Sequence, residues 1–331
     1  MSNSTENKRI GYFDFCRGIA IIMVVGIHTF VMSEPADATI FVRQILNCAV
    51  PIFLALSGYF ATRQFINGQT TAIAFWKKQI PRVYIPCIIW SLPLYAEQVI
   101  KSGGNNLVGQ TILLLVGGVS VYYFITLIIQ YYLLQPLLVK YNNDTMLGIT
   151  GAVSMLAIIA IGYIRLVKGI DLSLLVYAAP FTTWWIFYML GVYMAQHSRQ
   201  YSLSIAIIVV VAGLLLQCVE SNYLMREYSE GMGIKPSSYI YSAGVILLLF
   251  NRRCETAYRN KCVFRPIEYC GRISLGIFLT HCYMIGVAKM IPFATIHWGV
   301  KWFVTLLLSV VFIWCINKIL PNRLCRWIGF R

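Results

Sequence analysis

Charged residues are scarce in this sequence, and acidic residues are the scarcest. Asp and Glu together number 12 among 331 residues, against 27 Lys and Arg, and all four types make up 12% of the chain while hydrophobic residues make up 59%. A soluble globular domain carries about twice that charged fraction. The composition therefore excludes a soluble enzyme and indicates an integral membrane protein that crosses the bilayer several times.

Several other features are missing. No Cys-x-x-Cys occurs among the 10 cysteines, so reduced, mostly packed cysteines are expected, with a zinc site at Cys254 and Cys262 as the alternative. The first apolar segment is too long for a cleavable signal peptide and contains Asp14 and Arg17, so it is expected to remain as a helix. No fixed-period repeat and no long polar segment occurs. A single membrane domain over residues 1–331 is therefore expected, with short tails at 1–9 and 321–331.

The apolar stretches predict an all-α bundle of about ten transmembrane helices, because a helix needs about 20 apolar residues to cross the hydrocarbon core. Eighteen of the 27 Lys and Arg residues fall on the side that holds the N-terminus and eight on the other. Cytoplasmic loops carry such an excess, which predicts cytosolic termini and explains the net charge without nucleic acid. Residues 107–116 are too short to cross and are predicted to be interfacial or re-entrant. The predicted spans are 10–32, 39–62, 82–100, 120–139, 146–164, 174–195, 202–219, 236–251, 273–292 and 301–320.

The first apolar segment, YFDFCRGIAIIMVVGIH at residues 12–28, places three ionisable side chains in one predicted helix. With about 100° per residue, His28 lies about 20° from Arg17 and about 40° from Asp14 around the helix axis. The rise from Arg17 to His28 is about 16 Å, which is roughly half the hydrocarbon thickness. Ionisable groups within a span are costly and usually face the protein interior or a wet cavity. The pattern predicts that this helix forms one wall of a polar shaft.

Each of these side chains has a chemical interpretation and a structural one. His28 can act as a general base toward a hydroxyl, because its unperturbed pKa is near neutrality. The alternative for His28 is a hydrogen bond between helices. Arg17 is suited to an anionic ligand arriving from the cytosol, because a guanidinium fork binds phosphate well. The alternative is that Asp14 and Arg17 simply neutralise each other.

Three later segments carry further candidates. Ser57, within PIFLALSGYF at 51–60, could hydrogen-bond a catalytic group, whereas the adjacent Gly58 is expected to serve helix packing. The basic segment FWKKQIPRVYIP at 75–86 predicts either a cationic mouth for a phosphorylated cosubstrate or side chains that reach lipid head groups. His281, in the middle of a late span, is either catalytic or a hydrogen-bonding residue between helices.

Four motifs in order along almost the whole chain resemble acyltransferase family 3, membrane proteins that O-acylate bacterial cell-surface sugars. They are Arg17-Gly18 with His28 eleven residues after the Arg, FLALSGY at 53–59, RVYIP at 82–86, and GRISLGIFLTH at 271–281. The chain departs from the family at two places. Gln79 stands where the family often has a further Arg, with Lys78 beside it, which alters the contact to the donor's phosphates. The sequence YYF at 122–124 replaces the family's His-Leu-Trp, which alters the acceptor site.

The resemblance implies roles for individual residues. His28 would be the catalytic residue, Arg17 an essential partner, and Arg82 a contact for the acyl-CoA donor. Together with the residue patterns above, this gives three sets of candidates. The candidate catalytic residues are His28, Arg17 and Asp14, the candidate donor-binding residues are Arg82, Lys78, Lys77 and Gln79, and the candidate acceptor-binding or supporting residues are Ser57, Tyr122, Tyr123 and His281.

The expected function is that of an inner-membrane O-acyltransferase of a bacterium. It would move an acyl group, acetyl by resemblance, from cytosolic acyl-CoA to a hydroxyl of a cell-surface or lipid-linked saccharide. Acetyl-CoA would be a co-substrate, and no tightly bound cofactor, metal ion or nucleic acid is expected. The sequence does not decide between acetyl and succinyl as the acyl group, or between direct transfer and an acyl-enzyme. It also does not give the oligomeric state. The alternative is a transporter or flippase for an anionic lipid-linked glycan, with Asp14 and Arg17 lining the path.

Overall fold

The computed structural model describes residues 11–30, 37–197, 201–258 and 262–330. The predicted tail at 1–9 lies outside these ranges, as does residue 331 of the tail at 321–331. Within them the chain contains helices and no strand, which confirms the predicted all-α class. The helices are α1 (Gly11–Thr29), α2 (Asp37–Ile45), α3 (Ala49–Ile66), α4 (Ala72–Lys101), α5 (Leu107–Leu115), α6 (Tyr123–Lys140), α7 (Asp144–Gly162), α8 (Leu174–Ala178), α9 (Phe181–Gln196), α10 (Leu203–Tyr228), α11 (Pro236–Leu249), α12 (Arg252–Tyr258), α13 (Arg265–Arg272), α14 (Ser274–Lys289), α15 (Trp298–Ile319) and α16 (Asn322–Trp327).

Eight helical stretches of the described chain are long and apolar enough to cross a membrane, and α13 with α14 makes a ninth if the bent pair counts as one span. This number is lower than the predicted ten for two local reasons. The predicted span at 273–292 contains the 16-residue helix α14, which counts as a span only together with α13, and the two helices are bent by 85° relative to each other. The predicted span at 236–251 is the 14-residue helix α11, whose length of about 21 Å falls short of the hydrocarbon core.

The basic segment at 75–86 is part of a transmembrane helix rather than a segment that precedes one. α4 begins at Ala72, ten residues before the predicted start, and runs for 30 residues through Pro81, Pro86 and Pro93. Neighbouring helices can satisfy the backbone groups that a proline frees, so a membrane helix tolerates it. Lys77, Lys78 and Arg82 therefore lie on the first turns of the span itself. The short helix α5 matches the short segment that the sequence predicts at 107–116.

Small residues bring pairs of helix backbones into direct contact. A Cβ atom on Gly271 of α13 would lie 1.7 Å from the backbone oxygen of Asp14, and one on Gly18 of α1 would lie 1.9 Å from the backbone oxygen of Ile267. A second crossing joins α3 and α9, where a Cβ on Gly191 would lie 1.9 Å from the backbone oxygen of Ala55. Helices associate this way in membranes, where packing replaces the hydrophobic effect. These crossings fix α1, which carries Arg17 and His28, and α3, which carries Ser57.

Apolar side chains cover much of the exterior. On α10, for example, Val211, Leu215 and Val219 are all more than half exposed. Contiguous apolar surface of this extent is unusual for a soluble monomer and is what a lipid-facing helix presents. All nine cysteines whose side chains are described are free thiols, five of them buried. Cys262, one of the two residues of the alternative zinc site, has no described side chain.

Candidate active site

His28 lies in the last turn of α1 and lines two adjoining cavities. Val24, Val50 and Tyr123 line both cavities as well, so these residues form the partition between them. We call the cavity that contains Arg17, Arg82 and Arg272 the proximal cavity. The other, which contains Arg43, Asn47 and Lys235, is the distal cavity. An imidazole at this partition can contact ligands on both sides.

The proximal cavity has a volume of about 260 Å³ and is lined by cationic, polar and aromatic side chains. Arg17 and His28 both line it, so the two side chains share one face of α1, as their spacing of eleven residues predicts. Arg82 and Arg272 add two further guanidinium groups from α4 and α13, and both are exposed at its mouth. Three guanidinium groups that line one cavity suit a ligand that carries several phosphates.

Arg17 is held from two directions. Its Nη1 donates to Oδ1 of Asp14 at 3.1 Å, and its guanidinium lies over the Phe60 ring, 4.5 Å from the ring centroid. Asp14 is buried and is not among the residues that line the cavity. Gly18, the next residue along α1, packs directly on the backbone of α13. The ion pair, the ring and the helix crossing together fix the direction in which Arg17 points.

A second histidine packs against the ring of His28. The centroids of the His28 and His281 rings are 5.1 Å apart, although 253 residues separate them. His281 is fully buried, its Nδ1 lies 2.6 Å from the backbone oxygen of Phe278, and the Cys282 Sγ lies 3.6 Å from its Nε2. A carbonyl oxygen only accepts, so Nδ1 carries the hydrogen in the neutral ring and Nε2 accepts from the thiol. These two contacts hold the ring of His281 in place against the ring of His28.

The candidate acceptor-binding or supporting residues separate into three groups. Ser57 lines the proximal cavity and Tyr123 lines both cavities. Tyr122 is buried, and its hydroxyl donates to the backbone oxygen of Leu279 at 2.6 Å. That bond holds α14 in place two residues before His281. Tyr122 therefore contacts the helix that carries the second histidine rather than either cavity.

The candidate donor-binding residues also separate. Arg82 and Gln79 line the proximal cavity, and Gln79 Nε2 donates to Oε1 of Gln64, another lining residue, at 3.2 Å. Lys77 and Lys78 are exposed and are not among the lining residues. Gln79 and Arg82 are three positions apart and share one face of α4, whereas Lys77 lies about 140° from Arg82 around the helix axis. Among the described side chains, no group of three or more His, Cys, Asp or Glu residues could hold a metal ion.

The distal cavity is larger, about 610 Å³, and the sequence alone did not point to it. Arg43 and Asn47 reach it from the second span, and Lys235 from the segment before α11. Lys235 Nζ donates to Oε1 of Gln44 at 2.6 Å and to the backbone oxygen of Gly231 at 2.9 Å. Burial lowers the pKa of Lys235 to about 7, the Glu220 carboxylate opposes that shift, and the Arg43 guanidinium adds to it.

A family model described as an acyltransferase domain matches residues 10–318, nearly the whole chain. The protein belongs to this acyltransferase family. No curated protein and no solved structure matches the chain. The family match confirms the resemblance that the four sequence motifs indicated, and it identifies the chain as a membrane acyltransferase.

The geometry of this acyltransferase allows one kind of chemistry in particular. An acyl transfer needs a donor, an acceptor and a group that moves the proton of the acceptor. Here an imidazole lies between two separate cavities, and the one beside Arg17 carries the guanidinium groups of Arg82 and Arg272. One ligand in each cavity could therefore reach His28.

Proposed function

We propose that the protein transfers an acyl group, acetyl, from cytosolic acyl-CoA to a hydroxyl of a cell-surface or lipid-linked saccharide. The observation that carries the proposal is the position of His28 at the partition between two cavities. In this proposal the protein lies in a bacterial inner membrane with both termini in the cytosol. The donor then enters through the proximal cavity and the acceptor through the distal one.

The proximal cavity supports a CoA thioester as the donor. CoA carries phosphates at one end and the reactive thioester at the end of a long flexible arm. Arg82 and Arg272 at the mouth can bind phosphate, and Arg17 lines the same cavity. The rise of about 16 Å between Arg17 and His28 on α1 separates the phosphate-binding end from the reacting end. Such an extended arrangement fits a ligand whose charged and reactive ends are far apart.

In the chemistry that we propose, the imidazole of His28 accepts the proton of the acceptor hydroxyl while the oxygen attacks the thioester carbonyl carbon. A C–O bond forms and the C–S bond breaks. The CoA thiolate leaves with the electron pair and takes the proton from the imidazolium of His28. The products are an ester and free CoA thiol. An acyl-enzyme route would divide the same exchange into two steps.

The alternative function, a flippase for an anionic lipid-linked glycan, requires no acyl donor. A flippase consumes no thioester, so it releases no CoA thiol. Membership of an acyltransferase family favours the enzyme. The two functions are therefore separated by one chemical product.

The test uses the purified protein in lipid nanodiscs with acetyl-CoA and surface glycans isolated from a strain that lacks the gene. We expect release of free thiol and, by mass spectrometry, an increase in glycan mass equal to one acetyl group per ester formed. The parent strain should carry the same modification and the deletion strain should lack it. Identical glycan masses in the two strains, with no thiol release above that of empty nanodiscs, would contradict the proposed function.

A further inference from the structure

Arg43 is a buried cation that faces the distal cavity. It lies on α2, is 7% exposed, and lines the cavity together with His28. Burying a guanidinium in a membrane protein is costly unless an opposite charge or a set of hydrogen bonds compensates it. The buried charge of Arg43 therefore requires a compensating anion or a set of hydrogen bonds.

The described residues compensate only a small part of the buried charge of Arg43. Arg43 Nη1 donates to Oδ1 of Asn47 at 2.5 Å, and a guanidinium has five N–H donors. Two carboxylates line the same cavity, but both are engaged elsewhere. Glu220 accepts from the backbone nitrogen of Ser237 at 3.0 Å, and Glu230 pairs with Arg165 at 3.0 Å. Within the described part of the chain, no carboxylate forms an ion pair with Arg43.

A hydrogen-bonded frame holds Arg43 in place. Asn47 Nδ2 donates to Oε1 of Gln44 at 3.1 Å, and the same oxygen accepts from Lys235 Nζ. Gln217 Nε2 donates to the backbone oxygen of Gln44 at 2.6 Å. Lys235 uses its donors on this frame and on backbone oxygens of residues 231 and 233. Lys235 thus fixes the frame, while Arg43 keeps donors that can reach a ligand, a preorganised arrangement that lowers the cost of binding.

We propose that Arg43, oriented by Asn47, binds an anionic group of the acyl acceptor in the distal cavity. The chemistry that fits is an oxyanion, either a carboxylate on the sugar or a phosphate that links the sugar to a lipid. The phosphates of the donor are not candidates, because the proximal cavity has its own arginines, Arg17, Arg82 and Arg272. This inference rests on the proposed function and names the class of its acceptor.

Direct binding tests the inference without relying on catalysis. The probes are methyl glucoside, methyl glucuronide and glucose 1-(methyl phosphate), which are neutral, carboxylated and phosphorylated. A ligand that binds the folded protein raises its melting temperature in proportion to the logarithm of its concentration over Kd. We expect at least one anionic probe to bind at least about tenfold more tightly than the neutral probe. The better of the two anions tells a sugar carboxylate from a linking phosphate.

Variants locate the effect. Arg43→Gln should remove the preference for the anionic probe, and Arg43→Lys should keep part of it. Asn47→Asp should also remove this preference, because the new carboxylate would form an ion pair with the guanidinium of Arg43. This second variant keeps the test valid if Arg43→Gln does not fold. Arg226→Gln is the matched control, since it removes the same charge from an exposed residue of α10 that does not line the cavity.

Three results would overturn the inference: equal or absent shifts with all probes, a preference that survives Arg43→Gln, or an equal loss in Arg226→Gln. Thiol release from acetyl-CoA is measured with the same probes. If thiol is released equally with neutral and anionic acceptors, the anion site is wrong while the enzyme stands. If an anion binds through Arg43 but acetyl-CoA is never consumed, the proposed function is wrong while the anion site stands.

Discussion

The imidazole of His28 lines two cavities, whereas the guanidinium of Arg17 lines only the proximal one. Replacing them should therefore change different kinetic constants. For His28→Gln we expect kcat to fall by about 10²–10⁴-fold, the range for loss of a general base, while KM for acetyl-CoA changes little. Thiol release measures both constants. His197→Gln is the control, because that ring stacks on Tyr193 and lines neither cavity. A His28→Gln enzyme that kept more than a tenth of its kcat would remove His28 from the mechanism.

Arg17 should act on the phosphates of the donor. S-acetylpantetheine carries the same thioester as acetyl-CoA but no phosphate, so it serves as a matched donor. For Arg17→Gln we expect kcat/KM for acetyl-CoA to fall at least about tenfold more than kcat/KM for S-acetylpantetheine. Lys140→Gln removes an exposed charge that lines neither cavity and should preserve the ratio between donors. Equal losses with both donors would show that Arg17 does not recognise phosphate.

Asp14 is a positioning residue in this structure, because its carboxylate pairs with Arg17 and does not line the cavity. Asp14→Asn keeps a hydrogen-bond acceptor and removes the charge. We expect it to lower the preference for acetyl-CoA over S-acetylpantetheine, as Arg17→Gln does, but by a smaller factor. The same thiol assay measures the ratio. If Asp14→Asn lowered kcat with both donors as strongly as His28→Gln, Asp14 would instead take part in the chemistry.

Among the elements, helix crossings at glycine determine where the site residues lie. A Cβ on Gly191 would lie 1.9 Å from the backbone oxygen of Ala55, and neither backbone can yield easily. We expect Gly191→Ala to lower the free energy of unfolding by about 1–3 kcal/mol or more, as overpacking does. Gly148→Ala is the control, since nothing lies within 4 Å of its added Cβ, and alanine favours a helix. Thermal unfolding in one detergent measures both. Equal melting temperatures would mean that α3 and α9 can separate at no cost.

Most of the membrane helices could be predicted from the sequence, because long apolar stretches leave few alternatives to a helix in a membrane. The exceptions have local causes. The bend of 85° between α13 and α14 lies at Ile273, where the polar helix RPIEYCGR at 265–272 meets the apolar α14. The sequence marks this boundary, because the predicted span begins at residue 273, but it does not give the angle between the two helices. The early start of α4 is missed because Lys77, Lys78 and Pro81 interrupt the apolar stretch, whereas the helix continues through them.

At the scale of the whole molecule, the site forms from segments that are distant in sequence. The shared face of Arg17 and His28 follows from helical periodicity alone. The contact of His28 with His281 depends on how α14 folds back on α1, which a single sequence does not specify. Arg43 is one of the eight Lys and Arg residues on the side opposite the N-terminus, and a count of loop charges cannot distinguish an exposed arginine from one that is 7% exposed. The distal cavity therefore emerged only from the three-dimensional arrangement.

If the donor and the acceptor each reach His28 through its own cavity, as proposed, the transfer is directional across the membrane. We expect proteoliposomes to transfer acetyl groups when acetyl-CoA is on the proximal side and the acceptor on the distal side, but not when both are on the distal side. Radiolabelled acetyl-CoA, enclosed or added outside, measures this, with the orientation established by protease access to a tag on the C-terminus. Detergent should restore transfer in every case, because it opens both sides. Equal transfer from either side in intact vesicles would mean that donor and acceptor share one opening, and the separate roles of the two cavities would then be wrong.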